Sequence, residues 1–209
     1  YYLGLELFGR ITASISHELN NVLSIINELN GVLEDTVFMA EPGKGISPEK
    51  ISNLQGRISN QLKRGNSIIK KLNKFSHSID HPVTDFDLNQ LLLNFTEIYR
   101  RLADLKKIEI ETDLQSVSID IVSDPFLVQH LLYRILNEIS ENMEPDSFIK
   151  ISTDESNDTA EIEISYGQTG VNDLDNVPGE MLSPAKKMNI EIDYSEEEWN
   201  SIIRIRIPK

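Results

Sequence analysis

One histidine in the sequence has neighbours suited to phosphoryl chemistry on nitrogen. His17 is followed at once by Glu18, and Asn21 comes four residues after it. On a helix, residues four positions apart share a face, so Asn21 would lie beside His17 and orient a water molecule or an incoming phosphoryl group. A neighbouring carboxylate can accept the ring proton and make the free nitrogen more nucleophilic. For an isolated His-Glu pair, the alternative interpretation is an exposed polar patch without chemistry.

The residues around His17 have the spacing of an amphipathic helix that runs from Tyr1 to about Asp35. Apolar side chains recur at three- and four-residue steps and predict one buried stripe. The stripe consists of Ile11, Ile15, Leu19, Val22, Ile26, Leu29 and Leu33. Because His17 falls outside this stripe, we expect its ring on the solvent side, where a large partner can reach it.

The segment Ile15-Ser-His-Glu-Leu-Asn-Asn-Val-Leu23 resembles the H box of two-component sensor histidine kinases. The H box is the helix that carries the phosphorylated histidine in that family. The resemblance implies that His17 is the phosphorylated residue and that Glu18 is its acid/base neighbour. It also implies that Asn21 is the polar residue with which members of the family place water when they act as phosphatases.

A second long helix is predicted to begin at Ser47 and Pro48, after a loop that contains Pro42 and Gly43. Two helices paired antiparallel leave part of their apolar surface uncovered, so we expect a homodimer that completes a four-helix bundle. The near-heptad stripe that supports this expectation consists of Ile51, Leu54, Ile58, Leu62, Ile69, Leu72, Phe75 and Ile79.

The second helix also carries a basic face. This face is either simply solvated or complementary to an acidic phosphoacceptor site on a partner. Its residues are Arg57, Lys63, Arg64, Lys70, Lys71 and Lys74.

Charge and composition divide the chain and exclude several classes of function. Residues 1–85 hold nine acidic and nine basic side chains, whereas residues 86–209 hold 25 acidic and 11 basic ones and carry the whole net charge of −14. Such acidity argues against binding to nucleic acid or to an anionic membrane surface. No segment approaches about eighteen consecutive apolar residues, so we expect a cytoplasmic chain. The sequence has no cysteine and four scattered histidines, and we expect no metal site.

Beyond a linker at residues 81–85, helical and strand patterns alternate. Strands are predicted at 86–88, 108–112, 117–121, 148–153, 160–165, 188–194 and 199–207, and helices at 89–106 and from Asp124-Pro125 to about residue 143. Mixed strands with helices on one face form an α+β sandwich. This order resembles the ATP-binding domain of histidine kinases. We therefore predict a helical hairpin over residues 1–82, which forms the four-helix bundle in the dimer, and a kinase-like α+β domain over residues 83–209.

The predicted nucleotide pocket departs from the family pattern. Asn137 lies at the position to which the resemblance assigns magnesium binding. The family box Asp-x-Gly-x-Gly corresponds to Tyr166-Gly-Gln-Thr-Gly170, in which a tyrosine replaces the aspartate that reads adenine. Glu138 and Glu141 add carboxylates that would repel a triphosphate. Residues 170–179 are too few for a full nucleotide lid, and residues 179–184 lack a second glycine box.

These features favour a histidine phosphotransferase with kinase architecture and a decayed nucleotide site. His17 would exchange a phosphoryl group with aspartates of response regulator receiver domains, and no cofactor is expected. The first alternative is an autophosphorylating sensor histidine kinase, or its phosphatase form, which would use ATP and magnesium. The second alternative is a non-catalytic dimeric docking module in which His17 is merely exposed.

Overall fold

The structure, a computed structural model, describes residues 2–40, 45–167, 185–197 and 200–209. It divides into two compact units. The helical unit is Gly9–Asn73, and the sheet unit combines the residues up to Phe8 with Lys74–Lys209. The domain boundary at residue 82 stays a prediction. Within the described ranges, no helix has both the length and the apolar character needed to cross a membrane.

Two long helices form the helical unit and extend beyond it at one end each. Helix α1 is Tyr2–Phe38 and helix α2 is Pro48–His77. The expected stripe of α1 is confirmed at Ile11, Ile15, Val22 and Leu29, which are at most 5% exposed. The other three residues of that stripe are half-buried.

The buried side of α2 is centred on a glycine that the apolar pattern does not detect. Gly65 is buried, and a Cβ atom added there would lie 3.4 Å from Val22 Cγ1. Ile68, three residues later, is buried on the same helix at 5% exposure. Leu62 and Ile69, which the predicted stripe includes, are 54% and 44% exposed in the single chain. These two residues leave apolar surface uncovered on the helical unit.

The described part of the sheet unit includes two long helices and seven strands. The helices are α3 (Leu88–Asp104) and α4 (Pro125–Asn142), and the strands are β1 (Thr84–Asp87), β2 (Glu109–Asp113), β3 (Asp120–Ser123), β4 (Phe148–Glu155), β5 (Thr159–Gly167), β6 (Glu191–Glu196) and β7 (Asn200–Pro208). Strands β1 and β3 form an antiparallel pair. The others form a mixed sheet in the order β2-β4-β5-β7-β6, in which only the pair β2 and β4 is parallel among the described strands.

One face of the five-stranded sheet is buried. Alternate residues of its central strands, such as Ile151, Ile164 and Ile205, are at most 1% exposed. Helix α3 lies on this face, because Thr153 Oγ1 of β4 donates a hydrogen bond to Asn89 Oδ1 of α3 at 2.8 Å. Twelve residues of α4 are buried as well. The sheet face and the two helices therefore form the core of the predicted α+β sandwich.

Asn89 also explains why β3 begins later than the sequence pattern predicts. Its Nδ2 donates hydrogen bonds to the carbonyl oxygens of Gln115 at 3.0 Å and Val117 at 2.7 Å. These carbonyls are thus satisfied by a side chain rather than by a strand neighbour. The strand expected over residues 117–121 accordingly starts at Asp120.

The predicted cap of α4 is confirmed, because Leu127 N donates a hydrogen bond to Asp124 Oδ1 at 2.9 Å.

Candidate functional site

His17 lies on α1 on the side away from the helical unit's interior. Its side chain is exposed, whereas Ser14 and Ile15 just before it are 7% and 5% exposed. Buried residues at these positions hold the helix in place and leave the imidazole open to solvent. The ring is therefore attached to a helix and exposed to solvent.

Asn21 is also exposed on α1, one helical turn after His17. Residues at this spacing share one face of a helix. The structure thus brings His17 and Asn21 together on one solvent-facing surface, where an amide can bind water or phosphoryl oxygen atoms beside the ring.

Glu18 points to the second helix. Its Oε1 accepts a hydrogen bond from Arg64 Nη2 of α2 at 3.0 Å, and the Glu18 and Arg64 side chains are 28% and 48% exposed. Adjacent residues on a helix do not face each other, and no hydrogen bond among the described residues joins Glu18 to His17. Sequence reasoning missed this pair, because it connects residues 46 positions apart and depends on the register of the hairpin.

Asn137 lies on α4 in the sheet unit, where acidic side chains surround its amide. Asn137 Nδ2 donates a hydrogen bond to Glu141 Oε1 at 3.0 Å, and Lys106 Nζ lies 3.6 Å from the same carboxylate oxygen. Glu138 follows Asn137 directly and is half-buried. The amide that resembles a magnesium ligand is thus engaged by a carboxylate of its own helix.

Tyr166 lies near the end of β5 and is 1% exposed. In the sheet register it stands opposite Ile149 of β4 and Ser201 of β7. Tyr133 of α4 is fully buried as well. Both phenol rings belong to the core. Residues 168–170 of the predicted glycine box, and the segment 179–184, lie outside the described residues.

A cleft of about 590 Å³ lies at the β2 edge of the sheet unit. Arg100, Asp104, Lys107 and Glu109 are among its lining residues. None of the predicted site residues lines it, so the chemistry of His17 and the cleft are separate features.

No protein-family model matches the chain, and no curated protein matches it in sequence. Solved structures of histidine kinases do resemble it. The histidine kinase AdeS of Acinetobacter baumannii has a TM-score of 0.53 and 18% identity, covering 92% of this chain and 97% of that one. The catalytic domain of the histidine kinase ThkA has a TM-score of 0.53 and 15% identity, covering 62% of this chain and 98% of that one.

A structure of ThkA in complex with the response regulator protein TrrA covers 98% of this chain and 63% of the ThkA chain. Its TM-score is 0.53 and its identity is 17%. The chain therefore has the fold of a sensor histidine kinase core, a helical hairpin followed by the fold of the ATP-binding domain. This result confirms the predicted fold class, in which the dimeric bundle stays a prediction.

Proposed function

We propose that this chain is a histidine phosphotransfer protein in two-component signalling, in which His17 exchanges a phosphoryl group with receiver-domain aspartates. The observation that carries this proposal is the exposed His17, with Asn21 on the same face, in a chain with the histidine kinase fold. A phosphoacceptor for a protein partner needs such accessibility, because the reacting phosphorus atom arrives on the surface of another domain.

The reaction requires little of the chain beyond positioning. A ring nitrogen of His17 attacks the phosphorus of an aspartyl phosphate, so that the N–P bond forms while the O–P bond breaks and the aspartate carboxylate leaves with the electron pair. The proton of the imidazole passes to Glu18 or to water. The receiver brings its own magnesium ion. The reverse reaction passes the phosphoryl group to a second receiver, and Asn21 would place water for hydrolysis.

The described residues of the kinase-like pocket do not fit a magnesium nucleotide. The residue at the position of the adenine-reading carboxylate is Tyr166, whose ring is buried. Asn137 is hydrogen-bonded to Glu141, and Glu138 adds a second carboxylate. Two carboxylates would repel a triphosphate. We therefore derive no step through ATP and propose that the phosphoryl group comes from a receiver domain.

Exposed side chains of the helical unit support the proposal of two kinds of partner, a second copy of the chain and a receiver domain. Leu23, Leu62 and Ile69 expose 56%, 54% and 44% of their surface in the single chain, which supports a homodimer that buries them. The exposed basic side chains of α2, such as Lys63 and Lys70, complement the acidic phosphoacceptor site of a receiver. The likeness to ThkA, solved in complex with a response regulator, supports a partner of the same class.

The test combines calorimetry with radiolabelled phosphoryl transfer. The purified chain is titrated with ATP and magnesium, and it is incubated separately with receiver domains phosphorylated by labelled acetyl phosphate. We expect no binding of ATP, and transfer of label from at least one receiver to the wild type. His17→Gln should abolish labelling. The matched control is His77→Gln, which should leave labelling unchanged. His77 is another exposed histidine, and its Nδ1 lies 2.7 Å from Asp80 Oδ2.

Each of the other outcomes identifies a different function. Binding of ATP with labelling of His17 would make the chain an autophosphorylating kinase and refute the decayed pocket. If neither ATP nor a phosphorylated receiver labels the chain, and His17→Gln does not change signalling in cells, the chain is the non-catalytic docking module.

A further inference from the structure

The ion pair between Glu18 and Arg64 lies beside the proposed phosphoacceptor His17. The proposed reaction uses Glu18 as a proton acceptor but assigns no role to Arg64. Glu18 is the nearest carboxylate to His17 in the sequence, but its Oε1 accepts a hydrogen bond from Arg64 Nη2 at 3.0 Å. The carboxylate that would take the imidazole proton is thus held by a cation of the opposite helix.

The pair lies next to a packed contact between the two helices. Gly65 follows Arg64 and is buried, and a Cβ atom added there would lie 3.4 Å from Val22 Cγ1, an ordinary contact distance. Val22 lies one helical turn after Glu18. The helices are therefore in contact beside the ion pair, within reach of the Arg64 and Glu18 side chains.

We propose that Arg64 is a positioning residue that restrains Glu18 until a partner docks. In the free protein, Arg64 holds the Glu18 carboxylate away from the His17 ring for part of the time, so that the ring has its proton acceptor less often. A receiver presents acidic side chains around its phosphoryl aspartate, and these compete with Glu18 for the Arg64 guanidinium. Docking then releases Glu18, which rotates to accept the imidazole proton as the N–P bond forms. This inference rests on the proposed function of His17.

The restraint is modest in size. Both side chains are partly exposed, and an exposed ion pair shifts an equilibrium by a factor of about two to five. Removal of Arg64 should therefore accelerate phosphorylation of His17 by a small donor about two- to fivefold. Phosphoramidate is a suitable donor, because it has no protein surface. In its reaction with His17 the N–P bond to the ring forms, the P–N bond of the donor breaks, and ammonia leaves.

The experiment compares initial rates of His17 phosphorylation by phosphoramidate in six proteins. Arg64→Ala should be about two- to fivefold faster than the wild type, and Arg64→Lys, which keeps the charge, should be close to the wild type. Glu18→Gln should be slower, and Arg64→Ala should give no gain in the Glu18→Gln background. Lys50→Ala removes a charge from an exposed position of the same helix, 14 residues earlier, and should leave the rate unchanged.

Three results would overturn the inference. An unaltered or lower rate in Arg64→Ala, with the wild type labelled, rejects the restraint and leaves the proposed function standing. A gain that persists in the Glu18→Gln background shows that Arg64 does not act through Glu18. Absence of labelling in both the wild type and Arg64→Ala rejects the restraint together with His17 as the phosphoacceptor.

A second donor tests the role of docking. With a phosphorylated receiver that transfers label to the wild type, the ratio of the Arg64→Ala rate to the wild-type rate should fall to about one or below, because docking already releases Glu18. The same gain with both donors would contradict release by the partner.

Discussion

Replacement of Tyr166 by alanine tests whether its ring belongs to the core of the sheet unit or only occupies a nucleotide pocket from which it can move. The side chain is 1% exposed and stands between β4 and β7 in the sheet register. Removal of a fully buried aromatic ring loses its transfer free energy and leaves a cavity, at a cost of about 3–5 kcal/mol. We therefore expect Tyr166→Ala to lower the free energy of unfolding by about that amount, measured by urea denaturation with circular dichroism.

Tyr194 of β6 offers a matched control. It is a half-buried tyrosine of the same sheet, and its hydroxyl donates a hydrogen bond to Glu196 Oε1 at 2.7 Å. Tyr194→Ala should cost about 1–2 kcal/mol, because it loses partial burial and the hydroxyl contacts with Glu196 and with Ser201 Oγ at 3.2 Å. If Tyr166→Ala costs no more than Tyr194→Ala, the ring of Tyr166 is not part of the core, and the proposal of a decayed pocket loses this support.

The same reasoning applies to Tyr166→Asp, which introduces the residue of the family pattern. A carboxylate at a fully buried position without a partner is strongly unfavourable. We expect this variant to be destabilised at least as much as Tyr166→Ala and to give no binding heat with ATP and magnesium. Binding of ATP by Tyr166→Asp would show that the tyrosine alone blocks an otherwise intact site.

Three further predictions concern stability. Asn89→Ala should lower the free energy of unfolding in urea by about 2–4 kcal/mol, because it removes one buried and two partly buried hydrogen bonds. Asn94→Ala on the same helix should cost about 1 kcal/mol or less, and equal costs would contradict the network. Gly56→Ala should raise the free energy of unfolding by about 0.5–1 kcal/mol and the Tm by about 1–4 °C in thermal denaturation. The reason is that Gly56 is an exposed helical glycine and an added Cβ atom would meet no neighbouring atom within 4 Å. A lower Tm would contradict this prediction. The hydrogen bond and charge of Asp113 raise the pKa of Lys150 above 10.5, so the stability that this pair adds is present below pH 10.5 and is lost as the pH rises through the raised pKa. Lys150→Met should therefore lose less stability than the wild type above that pH, measured by urea denaturation at several pH values. An unchanged pH dependence in the variant would refute the linkage.

The order of elements in the sheet unit is predictable because each element is specified locally. Alternating apolar residues mark β4, β5 and β7, and the Asp124-Pro125 pair marks the start of α4. The start of β3 is not predictable in this way. It depends on hydrogen bonds from Asn89 to backbone carbonyls 26 and 28 residues away, and these have no signal in the period of the strand.

The helical hairpin shows the same division between local and non-local information. The stripe of α1 follows from spacing alone, whereas the inward side of α2 includes Gly65, which has no hydrophobic side chain to detect. The contact between Glu18 and Arg64 depends on the register of the two helices, which local spacing does not reveal. The sequence placed Arg64 on a basic face that is either solvated or complementary to a partner, and the contact with Glu18 of α1 was not predicted.

The same physical distinction explains why His17 and the nucleotide pocket must be tested separately. His17 and Asn21 of the proposed phosphoacceptor site lie one turn apart on a single helix, so helix formation and exposure bring them together, whereas Glu18 is held by Arg64 of α2. A nucleotide pocket needs groups from more than one element to converge, and in the proposed correspondence the buried Tyr166 replaces the group that reads adenine. Under the proposed function the chain presents a reactive histidine without binding ATP, so a negative ATP titration is no argument against chemistry at His17.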